Sequence, residues 1–385
     1  PVTVEVENNG SMPLYRLAAV TKSENPIFDG KEYIFGKLNP GEKRKWDHTF
    51  EIPKWALTRE DEITLQFKES NNAEVPEHTF KARIEELPRP KFAFNYEIVD
   101  DGRYDSIGNG NGIPEFGETI GLLIRIKNNG KGKAQKSIVT LKNLSGDKIF
   151  LEKGRFEFEN LLPGQIKESA LNFVVKRPDT QIEMELQIFE DVYRDGIISK
   201  INIIEEEKKD NFLNSSQNIV VLNDKALIKG GSFKDAPVLA VSDKGTGFKT
   251  IGENDDWVKV KLNESLIGWI KKDDIIFVDF VSPPTESPSL TEVFEGPPVI
   301  DIKHPPLSTN SSDVVLNGFI KDIDGVDLVY VFLDDNKVKL VPAKDNEVPI
   351  SINLKLNDGV NVITIFAKDS TGLISKESFV VRKEV

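Results

Sequence analysis

Residues 124–130 read Ile-Arg-Ile-Lys-Asn-Asn-Gly. Apolar and charged side chains alternate in this stretch, which is the period-two pattern of a β-strand with one buried face. The closing Asn-Asn-Gly supplies residues that tolerate the positive φ angles of a tight turn. Residues 4–10, Val-Glu-Val-Glu-Asn-Asn-Gly, repeat the pattern, and a Pro-Gly turn follows each copy, at Pro40 and at Pro163. We therefore predict two diverged copies of one β-module in this part of the chain.

The same β-pattern continues along all 385 residues. Short apolar runs recur about every 8–12 residues between Gly, Asn, Asp and Pro, which is typical of sandwiches and small barrels. Helical periodicity is nearly absent. The sequence therefore predicts an all-β protein.

Pro-rich and charged stretches suggest where the modules end. Breaks are expected at Leu87-Pro88-Arg89-Pro90, at the charged run 205–210, and between Ser282-Pro283-Pro284 and Gly296-Pro297-Pro298. Four modules are predicted: residues 1–88, 91–205, 217–280 and 298–385.

Each predicted module resembles a known kind of β-domain. The strand-Asn-x-Gly and Leu-x-Pro-Gly pattern of residues 1–205 resembles the bacterial CARDB-type immunoglobulin-like sandwich. Residues 257–260, Trp-Val-Lys-Val, and 268–270, Gly-Trp-Ile, resemble a bacterial SH3-like barrel, and residues 298–385 resemble an immunoglobulin-like sandwich of bacterial surface proteins. These resemblances imply tandem immunoglobulin-like β-sandwiches with one SH3-like β-barrel.

The composition of the chain indicates which kinds of partner it can bind and in which compartment it is found. The chain has 63 acidic and 50 basic residues, a net charge of -13, whereas a nucleic-acid partner requires a basic surface. No apolar run approaches the roughly 18 residues of a transmembrane helix. The absence of cysteine excludes disulfides and thiol chemistry. We expect a protein of the bacterial cell envelope, periplasmic or secreted, that binds no nucleic acid; the alternative is a cytosolic protein, which can also lack cysteine.

One Gly-rich acidic segment, residues 100–118, is a candidate calcium loop, because calcium prefers six to eight oxygen ligands held on a tight turn. On the EF-hand template Asn109 and Glu118 fall at ligand positions, but the first position is Ile107, so an aspartate earlier in the loop would have to substitute. The candidate ligands are Asp101, Asp105, Asn109, Asn111, Glu115 and Glu118. The alternative is a polar turn between two strands, with no cofactor.

Aromatic residues in the third module form a second candidate site. Flat rings can stack on a peptide or glycan ligand. The candidate groove residues are Phe248, Trp257 and Trp269. The alternative is that the tryptophans belong to the core of the module.

No catalytic constellation is recognisable in the sequence. The only Ser-x-x-Lys, at Ser145 and Lys148, lies in a predicted hairpin turn, where a lysine cannot be buried and deprotonated. The order of the modules and residues 107–118 and 362–375 resemble the C-terminal extension of envelope serine peptidases of the carboxyl-terminal-processing (tail-specific) family.

That resemblance implies a non-catalytic accessory region that orients the peptidase or recruits a protein, peptide or peptidoglycan substrate, with the peptidase part expected before Pro1. Two alternatives remain. One is a cell-surface adhesin or stalk. The other is an assembly protein that self-associates through the opening strand, residues 2–7.

Overall fold

The computed structural model describes residues 1–71, 73–177, 181–204, 212–279 and 290–384. These residues form 30 β-strands in seven sheets, with three single-turn 3₁₀ segments and no α-helix. All but one of the strand pairs described below are antiparallel. The all-β prediction is confirmed. The predicted breaks at 205–210 and at 282–284 lie outside the described residues.

Contacts along the chain define two compact units. Unit 1 comprises Pro1–Leu87, Pro298–Ser370 and Ser375–Val385, and unit 2 comprises Pro88–Pro297 and Thr371–Ile374. Each sheet takes its strands from one predicted module, except that one short strand after residue 289 joins the sheet of the third module. The four predicted module boundaries themselves stay a prediction.

The first sandwich, in unit 1, has a four-stranded sheet in the order β3-β2-β5-β6 facing a two-stranded sheet, β1-β4. Its core is formed mainly by side chains of the larger sheet, among them Tyr33, Phe35 and Leu65. The strands are β1 (Val2–Glu7), β2 (Leu14–Lys22), β3 (Glu32–Leu38), β4 (Lys43–His48), β5 (Arg59–Lys68) and β6 (His78–Ile84).

The second sandwich, in unit 2, has two four-stranded sheets, β10-β12-β8-β7 and β11-β9-β13-β14. Apolar side chains from both sheets, such as Ile124, Phe173 and Ile188, share one large core. The strands are β7 (Phe92–Val99), β8 (Thr119–Asn128), β9 (Ala134–Asn143), β10 (Ile149–Lys153), β11 (Arg155–Leu161), β12 (Ile166–Val175), β13 (Gln181–Glu190) and β14 (Asp195–Ile204).

The two sandwiches share the turn geometry that their sequences repeat. The side-chain amide of Asn8 donates to the carbonyl of Leu38 at 2.9 Å, and that of Asn128 donates to the carbonyl of Leu161 at 3.1 Å. In both copies the glycine of the Pro-Gly turn donates its N–H to the asparagine carbonyl at 2.7 Å. By this repeat, β1 of the first sandwich is equivalent to β8 of the second, and β4 is equivalent to β12.

The third module is an eight-stranded sheet in the order β21-β15-β18-β19-β20-β16-β17-β22. Strands from both ends of this order bury side chains in one core, for example Ile275 and Ala240, so the sheet is strongly coiled. Within the described residues β21 and β22 remain its two edges, so the SH3-like barrel expected here is not closed. The strands are β15 (Asn218–Val221), β16 (Ala226–Lys229), β17 (Val238–Ser242), β18 (Gly247–Glu253), β19 (Trp257–Lys261), β20 (Ile267–Lys271), β21 (Ile275–Val278) and β22 (Leu290–Glu292).

The last sandwich, in unit 1, packs a three-stranded sheet, β23-β25-β28, on a five-stranded sheet, β24-β30-β29-β26-β27, in which β24 and β30 run parallel. Branched aliphatic residues dominate its core, as expected for half-buried strands. The strands are β23 (Val299–Ile302), β24 (Ser308–Thr309), β25 (Asp313–Lys321), β26 (Val326–Leu333), β27 (Asn336–Pro342), β28 (Glu347–Lys355), β29 (Gly359–Asp369) and β30 (Ile374–Lys383).

Candidate functional site

The Gly-rich acidic segment 100–118 connects β7 to β8 and packs against the eight-stranded sheet within unit 2. At its centre Gly112 lies on the indole of Trp269: a Cβ on this glycine would be 2.6 Å from the indole Nε1. Its φ of +77° also favours glycine. Only glycine therefore allows the loop to approach the ring this closely.

Four of the six predicted calcium ligands do come together in this loop, but they bind each other. The Glu118 carboxylate accepts the backbone N–H of Asn109 at 2.9 Å and that of Glu115 at 3.0 Å. Glu115 in turn accepts the side-chain amides of Asn109 and Asn111. These bonds hold the loop in a compact turn, which agrees with the alternative interpretation of the segment.

The two aspartates of the predicted set lie apart from these four. Asp101 binds the ammonium of Lys259 at 2.9 Å and the guanidinium of Arg103 at 3.0 Å, and Asp105 is exposed. In the part of the chain that the structure describes, no three acidic or histidine side chains are placed to hold a metal ion. Calcium binding by this loop stays a prediction.

A cluster of charged residues that sequence reasoning missed joins the loop to the eight-stranded sheet. Lys259, on β19, also donates to the carbonyl of Gly110 at 3.0 Å and lies 5.4 Å from the ring centre of Trp269. Arg103 bonds the Glu97 carboxylate and donates to the carbonyl of Ser265 at 3.0 Å. Both cations thus link the second sandwich to the neighbouring sheet.

Burial shifts the pKa values of the acids around this cluster. Desolvation raises the pKa of Glu97 to about 7, that of Asp100 to about 6 and that of Glu118 to about 7. Burial acts on Asp101 in the same direction, but the neighbouring Lys259 and Arg103 outweigh it and lower its pKa. The loop therefore contains both a firmly ionised aspartate and acids that titrate near neutrality.

Asp100 is as fully buried as Glu97. It is 1% exposed, and its Oδ2 accepts the backbone N–H of Gly112 at 2.9 Å. Its Oδ1 is buried without a hydrogen-bond partner among the described residues. An ionised carboxylate in this position lacks part of its solvation, which accounts for the raised pKa.

Strand β7 is covered on both faces at this contact. All eight of its residues are buried, whereas an outer strand of a sandwich normally exposes one face to water. The face that carries Asn95 and Glu97 is covered by the neighbouring sheet: Asn95 donates to the carbonyl of Val293 at 2.6 Å, and Glu97 accepts the N–H of Ile267 at 3.2 Å. In the sequence, Asn95 and Glu97 alternate with aromatic and aliphatic residues, a pattern that a strand with one solvated face also shows.

The predicted aromatic groove is mainly core. Trp269 is 1% and Trp257 5% exposed, and Phe248 is half-buried against the core of the eight-stranded sheet. The surface beside Trp257 is a shallow pocket lined mostly by charged side chains, including Asp256 and Lys271. Of the two alternatives, burial agrees with a core role for both tryptophans, and ligand binding here stays a prediction.

Comparisons with known proteins give no family. No protein-family model and no curated protein matches the sequence. Two solved structures show weak likeness. One is latent PorU from Porphyromonas gingivalis, which is 13% identical over 80% of this chain and 35% of that one, with a TM-score of 0.18. The other is Salmonella alpha-2-macroglobulin reacted with methylamine, which is 9% identical over 99% of this chain and 32% of that one, with a TM-score of 0.19. The chain spans about a third of each, and likeness at this level carries no argument about function. No helix in the described residues is long and apolar enough to cross a membrane.

Proposed function

We propose that this chain is a non-catalytic accessory region of a bacterial envelope serine peptidase, and that it positions the enzyme or recruits its protein or peptidoglycan substrate. The observation that supports the proposal is the set of contacts that the 100–118 loop makes with the neighbouring module. Asp101, Arg103 and Gly112 of this loop contact the eight-stranded sheet and join it to the second sandwich, so they serve orientation.

Side-chain and backbone contacts together hold these two modules against each other. Separating them would expose the Trp269 ring and break the ion pair between Lys259 and Asp101. It would also break backbone hydrogen bonds, such as the one from the Ile98 N–H to the carbonyl of Gly230 at 2.7 Å. A unit joined in this way holds whatever is attached to either module at a constant distance and angle.

The proposal is tested on the native polypeptide of the producing cell. Antibodies raised against this chain precipitate that polypeptide, whose intact mass and peptide-hydrolysing activity are then measured, with the isolated chain as the control. We expect a larger polypeptide that hydrolyses unfolded protein and is inhibited by serine-reactive reagents. A native polypeptide with only the mass of these 385 residues and no hydrolysis would overturn the peptidase assignment.

Substrate recruitment is tested separately by sedimentation with purified peptidoglycan and by binding of a denatured protein to the isolated chain. Binding to either supports recruitment, and binding to neither restricts the role to positioning. A stalk or assembly protein is the second candidate, and it is favoured by the two-stranded sheet β1-β4, beside which no further strand lies within the described residues.

A further inference from the structure

The last sandwich has a cleft along one of its edges. Strands β27 and β28 are the outermost strands of its two sheets at this edge, and in the described residues each pairs with one neighbour only. A cavity of about 340 Å³ lies between them. The opposite edge is closed by the segment between β23 and β25, whose short strand β24 pairs with β30. The open space is therefore confined to the β27 and β28 edge.

The floor of the cleft is apolar. Leu333, Ile352 and Leu354 belong to the sandwich core and also line the cleft, and Val338, which is 43% exposed, forms part of its wall. Leu333 and Ile352 are 7% and 8% exposed, whereas Val331, further along the strand of Leu333, is 0% exposed. The cleft thus opens onto the core, and a ligand in it would bury apolar surface.

The charged side chains of the lining are both cationic. They are Lys339 of β27 and Lys355 of β28, although the chain as a whole has 63 acidic and 50 basic residues. Lys321, in the sheet of Lys355, pairs with Glu347 at 3.2 Å, but neither cleft lysine forms an ion pair within the described residues. The cleft therefore has a positive charge that an anion would complement.

The backbone of β28 adds hydrogen-bond donors to the lysines. The N–H of Leu356 donates to the carbonyl of Ser312, just before β25, at 2.8 Å. Backbone groups alternate in direction along a strand, so Ser351, Asn353 and Lys355 direct their N–H groups away from β25, toward the cleft. Ammonium and N–H donors together suit a carboxylate, because hydrogen bonds to an ionised acceptor are stronger than those between neutral groups.

The same edge is unsuited to an additional β-strand. Pro349 of β28 and Pro342 of β27 lack an N–H to donate. Val338 is the extra residue of a bulge between Lys337 and Lys339. Prolines, bulges and lysines at a sheet edge all hinder the pairing of a further strand. The occupant that fits is therefore a compact ligand.

We propose that this cleft binds a small organic anion, whose carboxylate is bound by Lys339, Lys355 and the N–H of Asn353 and whose apolar body packs on Leu333 and Val338. A cavity of about 340 Å³ is near the lower end of the range for ligand pockets. At about 30 Å³ for each water-sized group, the ligand has roughly ten non-hydrogen atoms. The proposal is independent of the peptidase assignment, and neither test decides the other.

The probe is 4-phenylbutyrate, which combines a carboxylate with an apolar body of about the required size. The control is 4-phenylbutanamide, which has the same shape but no charge. Each is titrated into the isotope-labelled full chain, and the backbone amide signals are followed by NMR. We expect saturable shifts of the Ser351, Asn353 and Lys355 signals with the acid, and binding of the amide that is about tenfold weaker or more.

Substitutions in the lining test each part of the site. Lys339→Met and Lys355→Met remove one charge but keep an aliphatic chain, and we expect each to weaken binding of the acid about fivefold or more. Lys368→Met is the matched control, because Lys368 of β29 does not line the cleft. Val338→Asp places a negative charge in the cleft and should weaken binding about tenfold or more. Its control is Val299→Asp, at a valine that is 56% exposed on β23.

Four results would overturn the proposal: no saturable binding of 4-phenylbutyrate, equal binding of the acid and the amide, shifts that map to residues outside the cleft, or lysine variants that bind as tightly as Lys368→Met. Concentration-dependent changes of the same amide signals without any ligand would instead make a second copy of this chain the occupant. The amide spectrum also reports whether each variant is folded. If a variant does not fold, the comparison of acid and amide on the unsubstituted chain remains decisive.

Discussion

Gly112→Ala is the substitution that best tests how the second sandwich is attached to the eight-stranded sheet. The added methyl would lie 2.6–2.8 Å from three atoms of the Trp269 indole, where ordinary contact begins at 3.4 Å. The φ of Gly112 is +77°, a backbone conformation that a residue with a side chain adopts only with strain. The loop must therefore move away from the ring.

The expected cost has two parts. A side chain at positive φ costs about 1–2 kcal/mol. Moving the loop by several tenths of an ångström also weakens the bond from Lys259 to the Gly110 carbonyl and the bond from the Ser232 hydroxyl to the Asn111 carbonyl at 2.6 Å. Such a bond contributes about 0.5–1.5 kcal/mol when both partners are neutral and about 1.5–3 kcal/mol when one is charged. We expect unit 2 to lose roughly 3–5 kcal/mol of unfolding free energy.

Gly117→Ala is the matched control, because this glycine has a φ of +90° in the same loop but open space around the position of a Cβ. It should cost only the backbone part, about 1–2 kcal/mol. Urea denaturation of the full chain by tryptophan fluorescence gives the two free energies, and hydrogen exchange of β7 locates the change. If Gly112→Ala is no more destabilising than Gly117→Ala, the contact with Trp269 does not hold the modules together.

The remaining predictions concern charge in and around the same loop. The pKa of Asp100 is about 6 in the folded chain against an ordinary value of 3.8, so the folded state binds its proton more tightly and stability from this group falls as pH rises from about 4 to about 6. Asp100→Asn should therefore add roughly 2–3 kcal/mol in urea denaturation at pH 8, a gain that disappears near pH 4; an equal effect at both pH values would contradict the assigned cause. Lys259→Met should cost about 3 kcal/mol or more, and less in a background of Asp101→Asn, as a double-mutant cycle would show; additive costs would mean that the two side chains do not interact. If the loop binds calcium, millimolar calcium raises the melting temperature of the chain and Glu115→Gln abolishes the rise, whereas no calorimetric heat at that concentration would refute calcium binding.

The sequence by itself determined the class of fold and the local structure. A sequence that alternates apolar and charged residues, such as 124–130, can gather its apolar side chains on one face only if it forms a strand. Asn-Asn-Gly and Pro-Gly favour turns. Both effects act within a few residues. The similarity of the first two sandwiches followed from the same local signals.

Tertiary structure decided which polar residues meet. Asp101 and Lys259 are 158 residues apart, and nothing in the local pattern of either shows that β7 is covered on both faces. The calcium prediction failed to anticipate a distant contact in the same way. Asp101 has a carboxylate that could bind calcium, but in the folded chain it lies beside two cations.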